Sequence, residues 1–240
     1  GVFGGELYNS FFLLVITLII SIPLSMGAGI YLSEYAKTGP DTNFVRTCIE
    51  ILSSLPSVVV GLFGYLIFVV QFQYGFSIIS GALALTVFNL PMLTRNVEDS
   101  LRTVHHTQRE AGLALGISRW ETVVHVVIPE ALPGIVTGIV LASGRIFGEA
   151  AALIYTAGQS APALDWSNWN VLSVTSPISI FRQAETLAVH IWKVNSEGTI
   201  PDATQVSEGS AAVLLIFILI FNLSARFIGK KLHAKLTSAN

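Results

Sequence analysis

The sequence predicts an all-α, polytopic transmembrane helical bundle, and three observations support this prediction. The chain is 52% hydrophobic and only 12% charged, whereas soluble domains average about 25% charged residues. Five apolar runs are each long enough to cross the roughly 30 Å hydrocarbon layer as helices. None of these runs alternates strictly between apolar and polar residues, and within lipid only helices or closed barrels satisfy the backbone.

The five predicted spans belong to a single transmembrane domain that occupies all 240 residues. They cover residues 8–32, 44–70, 77–93, 132–157 and 209–227. Pro23, Pro56 and Pro91 lie within or at the ends of spans, where neighbouring helices can satisfy the carbonyls that a proline leaves free. Positions Gly134 and Gly138, and again Gly144 and Gly148, repeat a GxxxG spacing on the fourth span. Such spacing predicts a tightly packed helix.

The distribution of basic residues predicts the orientation of the chain. With the C-terminus in the cytoplasm, ten of the 13 Lys and Arg residues lie on the cytoplasmic side and two, Arg182 and Lys193, lie outside. The ten are Lys37, Arg46, Arg95, Arg102, Arg109, Arg119, Arg226, Lys230, Lys231 and Lys235. This asymmetry follows the positive-inside rule, which supports a cytoplasmic C-terminus.

Several function classes are excluded by composition. A single cysteine, Cys48, excludes an internal disulfide, and no metal site is predicted. An intramembrane enzyme would need a nucleophile with a base, or acidic and histidine ligands at membrane depth. Arg145 and Glu149 are the clear ionisable groups within a span, with Glu50 near the start of another, so no catalytic residue is predicted. The chain also lacks the lysine of a phosphate-binding loop, so another subunit must supply the energy.

The polar segment between the third and fourth spans predicts a helix–turn–helix. Thr107 and Glu110 have the spacing of a capping box, which predicts the start of a first helix. Gly116 then predicts a turn with a positive φ angle, and Ser118 with Glu121 predicts a second capping box.

Two features complete this segment. Pro129 and Pro133 are expected to end the second helix before the fourth span begins. Large apolar side chains gather at the turn, and an exposed apolar surface of this kind needs a partner; the alternative is that they fold back onto the chain's own helices. They are Leu113, Leu115, Ile117 and Trp120.

Two ionisable residues stand four positions apart in the fourth span. Arg145 and Glu149 would share one helical face, and Arg145 lies roughly 18–20 Å beyond Leu132 at the rise of a helix. An arginine at this depth costs about 2.5–3.5 kcal/mol on insertion scales, which favours a water-lined cavity and a functional role. A guanidinium suits oxyanions because its planar fork donates parallel hydrogen bonds. The alternative is that the pair only locks two helices together.

The outer segment between the last two spans is acidic and contains three tryptophans. Trp166, Trp169 and Trp192 are expected at the level of the lipid headgroups. The stretch from Phe181 to Val194 predicts a short interfacial or gating helix, with contact to a delivery protein as an alternative. We predict no ligand set around His190, and we expect His105 and His106 to be solvated.

The spacing of the 107–131 segment resembles the EAA loop of ABC importer permeases, and we call this segment the EAA loop. The family pattern is EAA, three residues, Gly, nine residues and I-x-L-P; here Gly112, Val126 and Ile128 replace its third Ala, its Ile and its Leu. The resemblance implies a type I ABC importer permease fold and a loop that docks in a groove of an ATPase subunit. The residues it implies for coupling are Glu110, Ala111, Gly112, Leu115, Gly116, Ile117, Trp120 and Pro129.

Four further runs resemble the PstA family of phosphate-importer permeases over nearly the whole chain. They read YLSEYA, ILSSLPSVVVGLFG, SGALALTVFNLPMLTRNVEDSLR and SGRIFGEAAALIYTAG. The resemblance implies translocation of inorganic phosphate, with Arg145 and Glu149 on the substrate path. It also implies one further span upstream of residue 1.

The same resemblance implies the partners of the chain. They are a homologous permease of the PstC type, an ATPase dimer of the PstB type that uses ATP and Mg, and an extracytoplasmic phosphate-binding protein of the PstS type. No cofactor is expected on this chain, and lipid surrounds it. Import of another oxyanion such as sulfate or phosphonate, and a passive anion channel, remain as alternatives.

Overall fold

The computed structural model describes residues 2–197 and 202–237, and this part of the chain is helical without a strand. Its α-helices are α1 (Val2–Ile30), α2 (Pro40–Ser54), α3 (Ser57–Gly64), α4 (Ile78–Arg102), α5 (His106–Ala114), α6 (Arg119–Thr122), α7 (Ile128–Gly148), α8 (Ala151–Thr156), α9 (Leu187–Glu197) and α10 (Ala203–Thr237). Short π-helical segments follow α1 and α3 and join α6 to α7; they are Tyr31–Tyr35, Tyr65–Gln71 and Val123–Val127. The predicted all-α fold class is confirmed.

Four continuous helices in the described residues are long and apolar enough to cross a membrane. They are Gly4–Tyr35, Ile78–Arg102, Arg119–Gly148 and Ala203–Leu236. The predicted second span is instead a pair of helices, Pro40–Ser54 and Ser57–Gln71, bent by 99°. Pro56 explains the bend, because the residue before a proline avoids the helical region and Pro56 itself is extended, with ψ 140°.

The start of the fourth span differs from the prediction. Neither Pro129 nor Pro133 ends the preceding helix, because helical structure continues from Arg119 to Gly148. A proline inside a helix frees the carbonyl four residues before it. Here the carbonyl that Pro133 frees is that of Pro129, and it accepts a hydrogen bond from Nδ1 of His233 at 3.1 Å. The helix therefore passes the prolines without leaving that carbonyl unsatisfied.

Contacts divide the chain into two compact units, the first formed by Gly1–Ile20, Ser54–Asn89 and Ser143–Leu219. Within it, α3 packs closely on α8: a Cβ on Gly61 would lie 2.7 Å from Cα of Ala152. The core of this unit includes the fully buried side chains Leu13, Leu14, Ile78, Leu85, Leu153 and Leu187.

The second unit comprises Ser21–Ser53, Leu90–Ala142 and Ile220–Asn240. Its core is the buried cluster Ile30, Val97, Leu101, Val104, Val123, Val127, Ala131 and Ile135. A Cβ on Gly134 would lie 2.6 Å from Oγ of Ser100, and one on Gly138 would overlap Asn96. The first GxxxG pair therefore packs α7 against α4, as predicted.

The second GxxxG pair does not serve the same purpose within the described chain. A Cβ on Gly144 or Gly148 would meet no atom within 4 Å. No neighbouring helix among the described residues therefore approaches this pair, because small size permits a close approach but does not supply the opposing helix.

Candidate functional site

The first helix of the EAA loop begins one residue before the predicted capping residue. The helix α5 starts at His106, and His105 precedes it without a side-chain cap. The predicted capping box of Thr107 and Glu110 is therefore wrong. The carboxylate of Glu110 lies 3.1 Å from Nδ1 of His106 instead, so it makes an i,i+4 contact along the helix surface. His105 and His106 are both exposed, as predicted, but His106 begins a helix and does not lie in a loop.

The turn and the second helix start as the sequence predicts. Gly116 has φ +78°, a left-handed conformation that costs glycine little and other residues more. Ser118 then caps α6: its Oγ accepts from the backbone N–H of Glu121 at 3.2 Å. In return, the Glu121 carboxylate accepts from the N–H of Ser118 at 3.0 Å. This reciprocal capping box fixes the direction in which the second helix leaves the turn.

Three apolar side chains near the turn project away from the rest of the described chain. Leu113 is 51% exposed, Leu115 82% and Trp120 57%, and we call them the apolar tip. Ile117 is half-buried, and Glu110 and Ala111 are exposed. The alternative that these large side chains fold back onto the chain's own helices is therefore wrong for the tip.

Gly112 brings the two helices of the loop together. It is buried, and a Cβ at this position would lie 2.8 Å from both Cγ2 and Oγ1 of Thr122. The departure from alanine at the third position of the motif thus has a local physical reason. Pro129, the last of the predicted coupling residues, is half-buried in α7.

Arg109, which immediately precedes the motif, fixes the base of the loop. Its NH1 donates to the carbonyl of Val104 at 2.6 Å and its NH2 to that of Leu101 at 2.7 Å. These carbonyls lie at the end of α4, where helices lack internal donors. An arginine from α5 therefore caps the C-terminal end of α4.

The same guanidinium binds a carboxylate at the end of the first span. Nε of Arg109 donates to Oε2 of Glu34 at 3.1 Å, and its NH2 donates to Oε1 at 2.8 Å. From the second helix of the loop, NH2 of Arg119 donates to the backbone carbonyl of Glu34. We call Glu34, Arg109 and Arg119 the arginine clamp. Sequence reasoning missed it because Glu34 and Arg109 are 75 positions apart.

The two ionisable residues of the fourth span lie differently from the prediction. The helix α7 ends at Gly148, so Glu149 does not extend the helical face of Arg145. Oε1 of Glu149 accepts from the backbone N–H of Ala152 at 3.1 Å, at the start of α8. Cζ of Arg145 lies 3.7 Å from the ring centroid of Phe88, a cation–π geometry worth about 0.5–2 kcal/mol. Both residues are half-buried.

The sequence analysis did not predict that an arginine of the outer segment would be fully buried. Arg182 is 1% exposed, and its NH2 donates to Oδ1 of Asn9 at 2.8 Å. Burial lowers the pKa of this guanidinium, and the nearby Tyr8 opposes that shift. Tyr8 and Asn9 also bind backbone carbonyls of Pro177 and Glu185. This group therefore fastens the outer segment to the start of α1.

The outer segment contains a helix close to the predicted position. It is α9 (Leu187–Glu197), and on it His190 is buried, with Nδ1 2.8 Å from Oε1 of Glu185. Trp166, Trp169 and Trp192 are exposed. Across the described residues no group of three or more potential ligands could hold a metal ion.

Apolar spans joined to a rigid helix–turn–helix with an exposed apolar tip define the membrane component of a transporter. The chain belongs to the family of binding-protein-dependent transport system inner membrane components, which matches residues 21–238. It is thus an ABC importer permease subunit, a multi-pass protein of the inner membrane and a transport component rather than an enzyme.

Relatives of known sequence point in the same direction. The chain is 56% identical over 233 residues to a probable ABC transporter permease, YqgI, of Bacillus subtilis, covering 97% of this chain and 79% of that protein. It is 35% identical to the phosphate transport system permease PstA of Xylella fastidiosa, covering 92% and 74% of the two chains. The resemblance to the PstA family is therefore confirmed.

Solved structures agree on the fold. An inward-facing structure of the MetNI methionine ABC transporter matches with a TM-score of 0.66, covering 93% of this chain and 91% of that one. The sequence identity is 18%, so this likeness supports the type I importer permease fold alone.

Proposed function

We propose that the chain translocates inorganic phosphate across the cytoplasmic membrane as one permease of an ATP-driven importer. The chain is 35% identical in sequence to two PstA relatives over more than nine-tenths of its length, which supports phosphate as the substrate. Arg145 supports it chemically, because a half-buried guanidinium in a membrane-spanning helix offers paired donors to an oxyanion. Glu149, whose carboxylate accepts from the N–H of Ala152 at the start of α8, is the second residue that we assign to this path.

The proposed energy source is an ATPase dimer of the PstB type that binds ATP and Mg and docks on the EAA loop. The apolar tip is the observation that carries this proposal, because Leu115 and Trp120 are exposed on a turn of fixed geometry. Aromatic and aliphatic anchors of this kind supply much of the energy of protein interfaces when a groove receives them. The positive-inside distribution supports a cytoplasmic loop and C-terminus.

Two further partners complete the proposed importer. A homologous permease of the PstC type would supply the other half of the pathway, and an extracytoplasmic phosphate-binding protein of the PstS type would deliver the substrate. Membership in a family of binding-protein-dependent systems and the similarity to PstA relatives support both proposals.

Uptake into vesicles that contain the complete importer tests the substrate and the energy source together. We expect phosphate uptake to require ATP, and to be inhibited more strongly by unlabelled phosphate than by sulfate or phosphonate. Stronger inhibition by sulfate or phosphonate would assign the chain to another oxyanion. Uptake that continues without ATP would assign it to a passive channel.

The role of Arg145 has its own test. Arg145→Ala should abolish phosphate uptake while the variant still assembles in the membrane at the normal level, because the paired donors are lost. Arg226→Ala, which changes an exposed arginine on α10, is the matched control and should transport normally. Normal uptake by Arg145→Ala would remove this residue from the substrate path.

A further inference from the structure

The arginine clamp connects both helices of the EAA loop to one residue at the end of the first span. Arg109 lies on α5 and Arg119 begins α6. Arg109 binds the carboxylate of Glu34, and Arg119 binds its backbone carbonyl while lying 5.0 Å from the ring centroid of Tyr35. The loop therefore meets the first span through both of its helices.

The burial of this contact distinguishes it from an ordinary surface ion pair. The side chain of Glu34 is 5% exposed and that of Arg109 18%. Exposed pairs contribute little because water screens them, whereas removing one partner of a buried, hydrogen-bonded pair leaves an uncompensated charge. The two parallel hydrogen bonds also fix the orientation of the guanidinium. Movement of the loop away from Glu34 would break this arrangement.

The clamp also includes the end of α4. Arg109 donates to two carbonyls there, those of Leu101 and Val104, while it binds Glu34. Nearby, a Cβ on Gly29 would lie 2.5 Å from Cγ1 of Val97, so α1 and α4 are in close contact. One side chain thus joins the EAA loop to the ends of two membrane-spanning helices.

The end of the first span has an unusual local structure at this point. Tyr31–Tyr35 continues the helix of the first span as a π-helical turn. Such turns are rare and often occur at functional sites, because they reorient a side chain at a small cost in backbone hydrogen bonding. Here the turn contains Glu34, and Oγ of Ser33 donates to the Glu34 carboxylate at 2.9 Å.

We propose that Glu34 is the positioning residue through which the EAA loop moves the first membrane span. Displacement of the loop by its motor then moves the end of α1 by the same amount, because the clamp holds the two as one body. This inference rests on the proposed function, since it requires a motor that docks on the apolar tip.

A second buried carboxylate in the same unit provides a matched control. The side chain of Glu98 is 8% exposed and binds Arg46 at 2.7 Å and Arg102 at 2.9 Å. Like Glu34, it is a buried carboxylate between arginines. Unlike the ion pair of Glu34, the two ion pairs of Glu98 contain no residue of the EAA loop. Glu98→Gln therefore removes a similar amount of charge pairing without releasing the loop.

The first experiment compares Glu34→Gln, Arg109→Lys and Glu98→Gln in the complete reconstituted importer. Three quantities are measured: the amount of ATPase that co-purifies, the rate of ATP hydrolysis, and the phosphate taken up per ATP hydrolysed. Couplings between sites usually correspond to about 5–150-fold changes, so we expect uptake per ATP to fall roughly tenfold in Glu34→Gln and Arg109→Lys. ATPase attachment should stay normal in both, and Glu98→Gln should keep the normal uptake per ATP.

Several outcomes overturn the proposal. Normal uptake per ATP in Glu34→Gln would show that the clamp passes on no motion. An equal fall in Glu98→Gln would show that the effect is a general loss of stability. Loss of ATPase attachment in the clamp variants would show that the clamp only supports the docking surface. If the unaltered chain does not co-purify with an ATPase, the proposed function itself fails, and this inference falls with it.

A second measurement tests the clamp without altering it. Spin labels on Lys37→Cys and Ala114→Cys, in a Cys48→Ser background, report the distance between the end of the first span and α5. Both labelled positions are exposed. The distance should be the same with and without ATP in the complete importer, and it should broaden in Glu34→Gln. A distance that changes with ATP in the otherwise unaltered importer would show that loop and span do not move together.

Discussion

The two faces of the EAA loop are built from opposite chemistry. At its base, the Arg109 guanidinium makes four hydrogen bonds, two to Glu34 and two to the carbonyls of Leu101 and Val104 at and just after the end of α4. At its tip, Leu115 is 82% exposed and Trp120 57%. A mobile segment that carries an apolar surface would lose conformational entropy whenever a partner bound that surface. Fixing the base removes part of that loss in advance, so the tip would be preorganised for the proposed ATPase.

Removing an anchor from the apolar tip should weaken docking more than any change at the base of the loop. Trp120→Ala should weaken attachment of the ATPase by about 30-fold or more, since a buried aromatic anchor is worth roughly 2 kcal/mol or more at an interface. The thermal stability of the isolated permease should not change, because the side chain is exposed before docking. Titration of the ATPase onto the purified permease measures the affinity.

A tryptophan elsewhere in the chain provides the control for this variant. Trp169 is 64% exposed in the outer segment, and Trp169→Ala removes a similar area without touching the loop. Its affinity for the ATPase should be normal. If both variants bound the ATPase normally, the apolar tip would have no role in docking.

The base side of the comparison is tested by adding volume at Gly112. Gly112→Ala should destabilise the permease by about 1–3 kcal/mol, the usual range for overpacking, because the new Cβ would lie 2.8 Å from two atoms of Thr122. Thr122→Ala removes both atoms, so the double variant should recover part of the loss. Thermal unfolding of the single and double variants measures this coupling.

The control for this pair is a glycine with free space around it. A Cβ on Gly209 of α10 would meet no atom within 4 Å, so Gly209→Ala should leave stability unchanged or raise it slightly. Additive effects of Gly112→Ala and Thr122→Ala would show that the two helices of the loop do not depend on this contact.

The sequence predicted the parts of the loop that depend on neighbouring residues. The left-handed conformation of Gly116 and the capping box of Ser118 with Glu121 are confirmed, because both follow from local backbone chemistry. The predicted capping box of Thr107 and Glu110 was wrong because the Glu110 carboxylate contacts the His106 ring instead. Residue spacing alone does not decide between these two contacts.

The parts that sequence could not predict depend on residues far apart in the chain. His233 satisfies the carbonyl freed by Pro133 from 104 positions away, so the helix continues where local rules predict an end. Glu34 meets Arg109 across 75 positions. A carboxylate at the end of a span, followed later by an arginine beside a loop motif, suggests such a pair, but the fold must bring the two together.

The smallest expected effect concerns the turn between the tip and the base. Ser118→Ala removes the oxygen that accepts from the N–H of Glu121, and loss of an N-cap usually costs about 1 kcal/mol. The permease should therefore unfold at a slightly lower temperature, and affinity for the ATPase should fall by less than in Trp120→Ala, because the tip residues remain but the turn is less well fixed. Ser224→Ala, a change at an exposed position on α10, should alter neither quantity.

If Ser118→Ala weakened docking as much as Trp120→Ala, the geometry of the turn would matter as much as the area of the tip. If it left docking unchanged while lowering stability, preorganisation of the tip would come from the arginine clamp and Gly112 alone.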